Sequence, residues 1–133
     1  MTTNTGFRVG SVNRLAGYVF GAVYLLVGMI GFAITTNMTF TSHTGKHLFI
    51  FGLNPLHNFV HVLVGIALAG AAGIGVGCSK AVNSLVGAVY LLVGAAGFFL
   101  TQSGLNLLAV NHPDNVLHVV SAALLLAIGV TRQ

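Results

Sequence analysis

The chain has 133 residues, of which 56% are hydrophobic and only 5% are charged, whereas a soluble globular domain carries about 25% charged residues. A water-soluble surface cannot be built from this composition. Asp114 is the single acidic residue, and five basic residues give a net charge of +4, which is too sparse for the basic patch of a nucleic-acid-binding protein. We therefore expect an integral membrane protein with the lipid bilayer, and no nucleic acid, as its partner.

Four apolar runs follow one another along the chain, at about residues 15–35, 55–77, 81–101 and 114–130. Each run is close to the roughly 20 residues that one helical crossing of the bilayer requires. The runs predict an all-α, four-helix membrane bundle that forms one domain over residues 1–133. The segments 36–54 and 102–113 become outer loops, and residues 77–80 become a tight turn between the second and third helices.

The basic residues predict the orientation of the bundle. Arg8, Arg14, Lys80 and Arg132 fall on one side of the membrane when the chain has four spans, and Lys46 alone falls on the other. Loops on the cytoplasmic side carry an excess of lysine and arginine. We therefore expect a multi-pass protein of the bacterial plasma membrane with both termini in the cytoplasm.

The chain contains an internal repeat. Residues 21–28 and 87–94 are identical, and a second match relates the region around Asn54 to the region around Asn111. The first repeat covers about residues 14–77 and the second about residues 80–130. Since each repeat has two spans, both enter the membrane from the same side, and a pseudo-twofold axis along the membrane normal should relate the two helical hairpins.

Small residues inside the repeats indicate where helices touch. Lipid gives helices no hydrophobic reason to associate, so close approach through small residues must supply the contact. We interpret four glycines, seven residues apart in each copy, as such contact positions: Gly21, Gly28, Gly87 and Gly94. Tyr24 and Tyr90 occupy equivalent mid-span places, where each buried phenol is expected to donate to a backbone carbonyl.

Polar residues align between the two copies near the outer loops. The repeat pairs His57 with Asp114 and His61 with His118. Residues four apart share one face of a helix, so each helix presents two such side chains on one stripe. If the second and fourth helices meet near the pseudo-twofold axis, these four residues form a candidate site for zinc, copper or iron.

The four residues of this candidate site are expected to lie at different depths in the membrane. If the second helix starts near Pro55, His61 lies about 9 Å along it, below the outer interface. His57 and Asp114 are shallower and therefore weaker candidates. A second possibility is a b-type haem bound between His61 and His118, since symmetric histidines and glycine-lined helices suit haem.

A purely structural explanation of the same residues stays open. Asn54 has the position of a helix N-cap, and Asp114 follows a proline at a helix start, where the helix dipole favours a negative charge. His61 and His118 would then bond each other, outer-loop carbonyls or the neighbouring amides. Four asparagines are the expected supporting residues: Asn54, Asn58, Asn111 and Asn115.

The two copies of the pattern Gly-x-x-Tyr-Leu-Leu-Val-Gly-x-x-Gly-Phe, each followed by Asn-x-x-(His or Asp)-Asn-x-x-His, cover about residues 13–130. This combination resembles a domain-of-unknown-function family of small four-span membrane proteins found in actinobacteria and cyanobacteria. The resemblance implies the fold and the membrane location but no activity. It marks seven motif positions: Asn54, Asn58, His61, Asn111, Asp114, Asn115 and His118.

The sequence favours a protein that is not an enzyme. It contains no nucleophile with a base near it and no phosphate-binding loop, and its charges are too few for an ion pathway. We expect an accessory or stabilising subunit of a larger plasma-membrane complex, with other membrane proteins as partners. The alternative is a cofactor-binding module that holds a transition metal or haem b through the outer histidines.

Overall fold

A computed structural model describes residues 11–131. Arg8 and Arg132, which contribute to the predicted orientation, lie outside the described residues. The described chain contains four helices and one β-hairpin: α1 (Val12–Ile34), β1 (Lys46–Leu48), β2 (Phe51–Leu53), α2 (Pro55–Ile74), α3 (Val76–Leu100) and α4 (His112–Gly129). The expectation of a mostly helical protein is confirmed.

Three of these helices, α1, α2 and α3, are long and apolar enough to cross a membrane. The fourth, α4, has 18 residues and begins with His112, and Asp114 and Asn115 follow within its first turn. These polar side chains shorten its apolar length. The four predicted spans therefore correspond to four helices, of which three have the length and composition of a membrane crossing.

Asparagine N-caps precede α2 and α4; the sequence predicts the cap at Asn54, and the structure adds the one at Asn111. The Asn54 side-chain oxygen accepts from the His57 backbone N–H at 2.8 Å. The Asn111 oxygen accepts from the Asp114 backbone N–H at 3.1 Å, and the Asp114 carboxylate accepts in return from the Asn111 N–H at 3.0 Å. This reciprocal pair is a capping box, which satisfies two of the free N–H groups at a helix start.

The connection between α2 and α3 is shorter than predicted. The tight turn expected at residues 77–80 is wrong, since α2 ends at Ile74 and α3 begins at Val76. Gly75 alone joins the two helices with a φ of 157°, a backbone conformation that side chains other than glycine rarely adopt. Lys80 therefore lies within α3, near the start of that helix.

The helices pack chiefly as two antiparallel pairs, α1 with α2 and α3 with α4. A β-carbon built on Gly28 would lie 2.8 Å from the Asn58 carbonyl oxygen, and one built on Gly94 would lie 3.0 Å from the Asn115 carbonyl oxygen. Such distances leave no room for a side chain. The interpretation of the repeated glycines as helix-contact positions is confirmed.

Large apolar side chains cover the outside of the helices, whereas polar and aromatic residues lie inside. Leu92 is 72% exposed and Phe99 is 88% exposed. The core around the bundle axis contains Leu68 and Leu125, both fully buried. This arrangement is typical of a protein surrounded by lipid. Apolar side chains are stable against hydrocarbon, whereas polar groups must form their hydrogen bonds inside the protein.

The segment before α2 contains the β-hairpin, which the sequence analysis did not predict. Lys46–Leu48 pairs antiparallel with Phe51–Leu53 through the two-residue turn Phe49–Ile50. Phe49 has a φ of 56°, an uncommon conformation for a bulky residue. The hairpin folds back onto the helices, so that Gly52 and Leu53 are buried next to the start of α4.

Candidate metal-binding site

Three histidines from two helices come together near the end of the bundle that the hairpin covers. His57 and His61 lie one turn apart on α2, and His118 lies on α4. They are 2%, 6% and 4% exposed. One ring nitrogen from each lies within 4.8 Å of the corresponding nitrogen of the other two. We call His57, His61 and His118 the histidine cluster; it contains three of the four residues predicted as metal ligands.

Two tyrosines lie beneath the histidine cluster, towards the middle of the bundle. The Tyr24 ring centroid lies 5.2 Å from that of His61, and the Tyr90 centroid lies 5.0 Å from that of His118. The two tyrosine rings meet edge to face at 5.2 Å. The histidines are therefore separated from the inner half of the bundle by a layer of aromatic carbon.

Most ring nitrogens of the cluster have no hydrogen-bond partner among the described residues. These nitrogens are His57 Nε2, His61 Nδ1, His61 Nε2 and His118 Nδ1. A buried polar atom left without a partner costs about 1 to 3 kcal/mol. The structural alternative, in which His61 and His118 bond each other or nearby amides, is therefore not supported by the hydrogen bonds of these side chains.

The remaining nitrogen of His57 is held by the hairpin. Its Nδ1 lies 3.1 Å from the Gly52 carbonyl oxygen. Because a carbonyl oxygen can only accept, Nδ1 carries the proton and Nε2 keeps a free lone pair. The sequence predicts a shallow position for His57 and therefore a weak ligand, but the structure buries this residue beneath the hairpin, with its ring centroid 4.3 Å from that of His61 and 5.6 Å from that of His118.

Asp114, the fourth predicted ligand, lies outside the histidine cluster. Its Oδ2 accepts from the backbone N–H groups of Gly52, at 2.9 Å, and Asn111. The backbone of Gly52 therefore links the two residues: its N–H donates to the Asp114 carboxylate, and its C=O accepts from the His57 ring. The two residues that the repeat pairs are thus connected through the backbone of one residue, which Asp114 helps to hold in place.

The four predicted supporting asparagines bond to the outer segments and to the first helix of each pair. Asn58 donates to the Thr35 hydroxyl at 2.8 Å, and Asn115 donates to the Thr101 hydroxyl at 3.4 Å. The two N-cap asparagines each reach the opposite outer segment, Asn54 to Leu107 O and Asn111 to Ile50 O, both at 2.8 Å. These bonds tie the two helix pairs together around the cluster.

The tyrosines do not bond as predicted. Tyr24 donates to the Ser121 hydroxyl at 3.0 Å, not to a backbone carbonyl, and the Tyr90 hydroxyl has no partner among the described residues. The prediction is wrong because the Ser121 hydroxyl on the neighbouring helix lies within hydrogen-bond distance of the Tyr24 phenol. At the repeat offset, Val64 takes the place of Ser121, so Tyr90 has no hydroxyl to bond.

A second layer of polar side chains lies at the end of the bundle away from the hairpin, and the sequence did not predict it. Asn83 donates to the Asn13 side-chain oxygen at 2.9 Å, and Asn13 donates to Ile128 O at 2.9 Å. Arg14 donates from Nε to Ala72 O at 2.7 Å. The sequence signal for this layer is an amide side chain beside one apolar run, Asn13, and within another, Asn83; both are fully buried in the structure.

Two cavities flank the histidine cluster, one on each side. The larger, about 190 Å³, lies between α1 and α4 and reaches Tyr24, His61 and His118. The smaller, about 50 Å³, lies between α2 and α3 and reaches Tyr90 and the same histidines. We call them the α1/α4 crevice and the α2/α3 crevice.

The space around the cluster favours a single ion over haem. A cavity of roughly 150 Å³ accommodates one benzene ring, whereas the four pyrrole rings of haem need several times that volume. The cavities beside His61 and His118 measure about 190 and 50 Å³. The ring of His57 also lies close, with its centroid 4.3 Å from that of His61. Three imidazoles in this arrangement can coordinate one metal ion.

Comparisons with known proteins give the family but no activity. No curated protein and no solved structure matches the chain. A family described as a domain of unknown function matches residues 14–131, which include all four helices from near the start of α1. Its span agrees with the resemblance seen in the two sequence repeats. The chain belongs to the family of the domain of unknown function DUF4383.

Proposed function

We propose that this protein holds a transition-metal ion inside a membrane-embedded helix bundle, on the ring nitrogens of His57, His61 and His118. The proposal rests on two observations: one ring nitrogen of each histidine lies within 4.8 Å of those of the other two, and four ring nitrogens of the cluster are buried with no hydrogen-bond partner among the described residues. A bound ion would give these nitrogens the partner that the surrounding protein does not supply.

The support around His57 is typical of a metal ligand. Metal-binding histidines almost always donate their second ring N–H to a carboxylate or a backbone carbonyl, which fixes the tautomer and the ring orientation. His57 makes this bond to the Gly52 carbonyl, and the Gly52 N–H donates to Asp114, which helps to fix the backbone at Gly52. Asp114 therefore acts in the proposal as a supporting residue of the metal site.

The ligand set selects the class of metal. Imidazole nitrogen suits zinc, copper, iron and nickel, whereas calcium and magnesium prefer oxygen ligands. Three protein ligands leave a fourth tetrahedral position open. The proposed occupant is therefore one ion of the zinc or copper type, with a position free for water or a small ligand.

We also propose that α4 crosses the membrane and that the protein consists of two duplicated hairpins. Matched contacts support this: Asn58 bonds Thr35 as Asn115 bonds Thr101, at positions that the repeat relates. The helix pairs α1–α2 and α3–α4 also pack alike. Because each copy contains two helices, a pseudo-twofold axis along the membrane normal relates them.

The proposed orientation places both termini in the cytoplasm of a bacterial plasma membrane, with the histidine cluster near the outer face. Arg14 and Lys80 lie at one end of the bundle, and Lys46 lies in the hairpin at the other, which agrees with the positive-inside rule. A cysteine at position 44, in a Cys78→Ser background, should react with an impermeant reagent in intact cells. Native Cys78 should react only after the membrane is opened, and the reverse result would overturn the orientation.

The accessory role remains a prediction. A small non-enzymatic subunit that carries a metal ion is compatible with service in a larger membrane complex. Mild-detergent purification followed by identification of stably co-purifying membrane proteins tests this role. A protein that elutes alone, under conditions that preserve known complexes of the same membrane, would count against it.

The metal proposal is tested by titrating Co²⁺ into metal-stripped, full-length protein in lipid nanodiscs and recording the visible absorption bands of the bound ion. We expect one ion per chain, displaced by Zn²⁺. His57→Ala, His61→Ala and His118→Ala should each weaken binding by at least about 100-fold, because loss of even an outer supporting residue weakens metal binding by about 10- to 100-fold.

The control is His112→Ala, which removes an exposed histidine at the start of α4 and should bind Co²⁺ with unchanged affinity. The proposal is wrong if the native protein shows no saturable binding. It is also wrong if His61→Ala binds as tightly as the native chain.

A further inference from the structure

The α1/α4 crevice has an exposed apolar rim and a buried polar floor. Val23 and Leu117 form part of its rim and are 51% and 47% exposed, and Phe49 of the hairpin, 87% exposed, closes the outer side. His61 and His118 form the floor. Since Val23 is near the middle of α1, the rim opens sideways at the depth of the lipid hydrocarbon.

We infer that the α1/α4 crevice binds an uncharged aromatic ring that carries a hydroxyl or carbonyl oxygen, the chemical class of lipid-soluble phenols and quinones. The crevice volume of about 190 Å³ exceeds the roughly 150 Å³ of an engineered apolar cavity that binds benzene. A single ring with a small substituent therefore fits, whereas a fused multi-ring ligand does not.

The floor of the crevice supplies the polar part of the recognition. His61 Nδ1, His61 Nε2 and His118 Nδ1 lack partners, and both residues are at least nine-tenths buried. A neutral imidazole offers one N–H donor and one lone pair. It can donate to the carbonyl oxygen of a quinone or accept from the hydroxyl group of a phenol.

The lining excludes charged ligands. Among the described residues, Asp114 is the only crevice-lining residue with a carboxyl group, and no lysine or arginine lines the crevice. An anion would therefore leave water for an apolar wall without a counter-charge. A cation would meet only the Asp114 carboxylate, whose Oδ2 already accepts two backbone hydrogen bonds. An uncharged ring that enters from the bilayer has no charge to desolvate.

The opposite crevice provides an internal control. Val27 lines the α1/α4 crevice, and Val93, its partner in the repeat, lines the α2/α3 crevice. The second crevice measures about 50 Å³, which is too small for an aromatic ring. We therefore expect the ligand to bind in the α1/α4 crevice and not in the α2/α3 crevice, although the repeat relates the residues that line the two.

The inference does not depend on a bound metal, so the test uses metal-stripped, full-length protein in lipid nanodiscs, with ¹⁵N-labelled histidine. The probes are para-cresol and para-xylene, which differ by a hydroxyl against a methyl group. At matched concentrations in the lipid phase, para-cresol should shift the ring signals of His61 and His118 saturably. Para-xylene should bind about tenfold more weakly, which corresponds to one hydrogen bond of about 1.4 kcal/mol.

Val27→Phe should fill the crevice and abolish the para-cresol shifts, whereas the matched change Val93→Phe should leave them. If Val27→Phe does not fold, Val23→Phe at the exposed rim replaces it, with Val89→Phe as its control. Equal binding of the two probes would overturn the inference, as would para-cresol shifts that persist in the folded rim variant. Absence of saturable shifts would overturn it while leaving the Co²⁺ test of the metal site unaffected.

Discussion

The two helix pairs of this protein share their packing but differ in chemistry. In both pairs, a glycine of the first helix lies against the backbone of the second: Gly28 against Asn58 and Gly94 against Asn115. The polar residues near the hairpin are not equivalent in the two pairs. The α1–α2 pair contributes two residues of the histidine cluster, whereas the α3–α4 pair contributes one, His118.

The difference comes from a single exchange and a longer loop. His57 in the first pair corresponds to Asp114 in the second, and only the segment before α2 contains a β-hairpin. The hairpin places Gly52 between these two residues. The matched glycine contacts therefore give the two helix pairs the same packing. The differences between the pairs place two histidines of the cluster in one pair and one in the other.

The largest expected effect concerns the shared scaffold. A β-carbon at Gly28 would lie 2.7 Å from Val62 Cγ2, and one at Gly94 would lie 2.8 Å from Val119 Cγ2. Gly28→Ala and Gly94→Ala should each lower the free energy of unfolding by about 2 to 3 kcal/mol through overpacking. Unfolding in mixed detergent micelles with increasing dodecyl sulfate measures this loss.

The control for the glycines is Gly70→Ala on α2, where an added β-carbon meets nothing within 4 Å. This change should be neutral, or stabilising by about 0.5 to 1 kcal/mol through helix propensity. A large loss at only one of Gly28 and Gly94 would show that the two pairs do not share their packing.

The amides beside those glycines sharpen the comparison. Asn58→Ala removes a 2.8 Å bond to Thr35, whereas Asn115→Ala removes a 3.4 Å bond to Thr101. We expect Asn58→Ala to cost about 2 kcal/mol and Asn115→Ala about 1 kcal/mol, because the longer hydrogen bond is weaker. The same unfolding titration checks both, and a larger loss at Asn115 would contradict the geometry.

The Asp114 carboxylate tests the asymmetric part. Asp114→Asn keeps the size of the side chain but removes the charge that holds the Gly52 and Asn111 N–H groups. Cobalt affinity should fall about tenfold, the lower end of the effect of supporting residues on metal sites. Asn111→Ala serves as the control for the helix cap alone.

If Asn111→Ala lowers cobalt affinity as much as Asp114→Asn does, the effect comes from loosening the start of α4. The role of Asp114 in orienting His57 would then have to be abandoned. Isothermal titration of both variants in nanodiscs separates the two cases.

The tyrosines give the smallest expected difference. Tyr24→Phe removes a buried hydrogen bond to Ser121 and should cost about 1 kcal/mol. Tyr90→Phe removes a hydroxyl that has no partner among the described residues and should be neutral or slightly stabilising. A double-mutant cycle of Tyr24→Phe with Ser121→Ala should show coupling of about 1 kcal/mol, and additive losses would show that the two hydroxyls do not interact.

Some features of the site were predictable because they follow from local rules. Asn54 is an N-cap, as the sequence predicts, because a short polar side chain before a proline-led helix binds the free N–H groups there. The convergence of His61 with His118 followed from their equivalent places in two helices. These inferences needed spacing alone.

Other features depended on contacts between distant segments. The ranking of His57 below His61 rested on depth along one helix, and it did not include the hairpin that covers His57 and bonds its ring. Asp114 was expected to be a ligand, whereas it bonds backbone groups outside the cluster. The partner of Tyr24 is 97 residues away in the chain, so no local pattern indicates it.

The amino-acid sequence by itself determined the helices, their apolar surfaces and the glycine positions at which they touch, because these depend on the period of an α-helix and on the composition that lipid demands. Only the tertiary structure decided which polar groups meet. The orientation of His57, the placement of Asp114 outside the cluster and the unequal crevices all depend on how the hairpin folds over the helices. Such hydrogen bonds join segments far apart in the chain, and their geometry exists only once the bundle has packed.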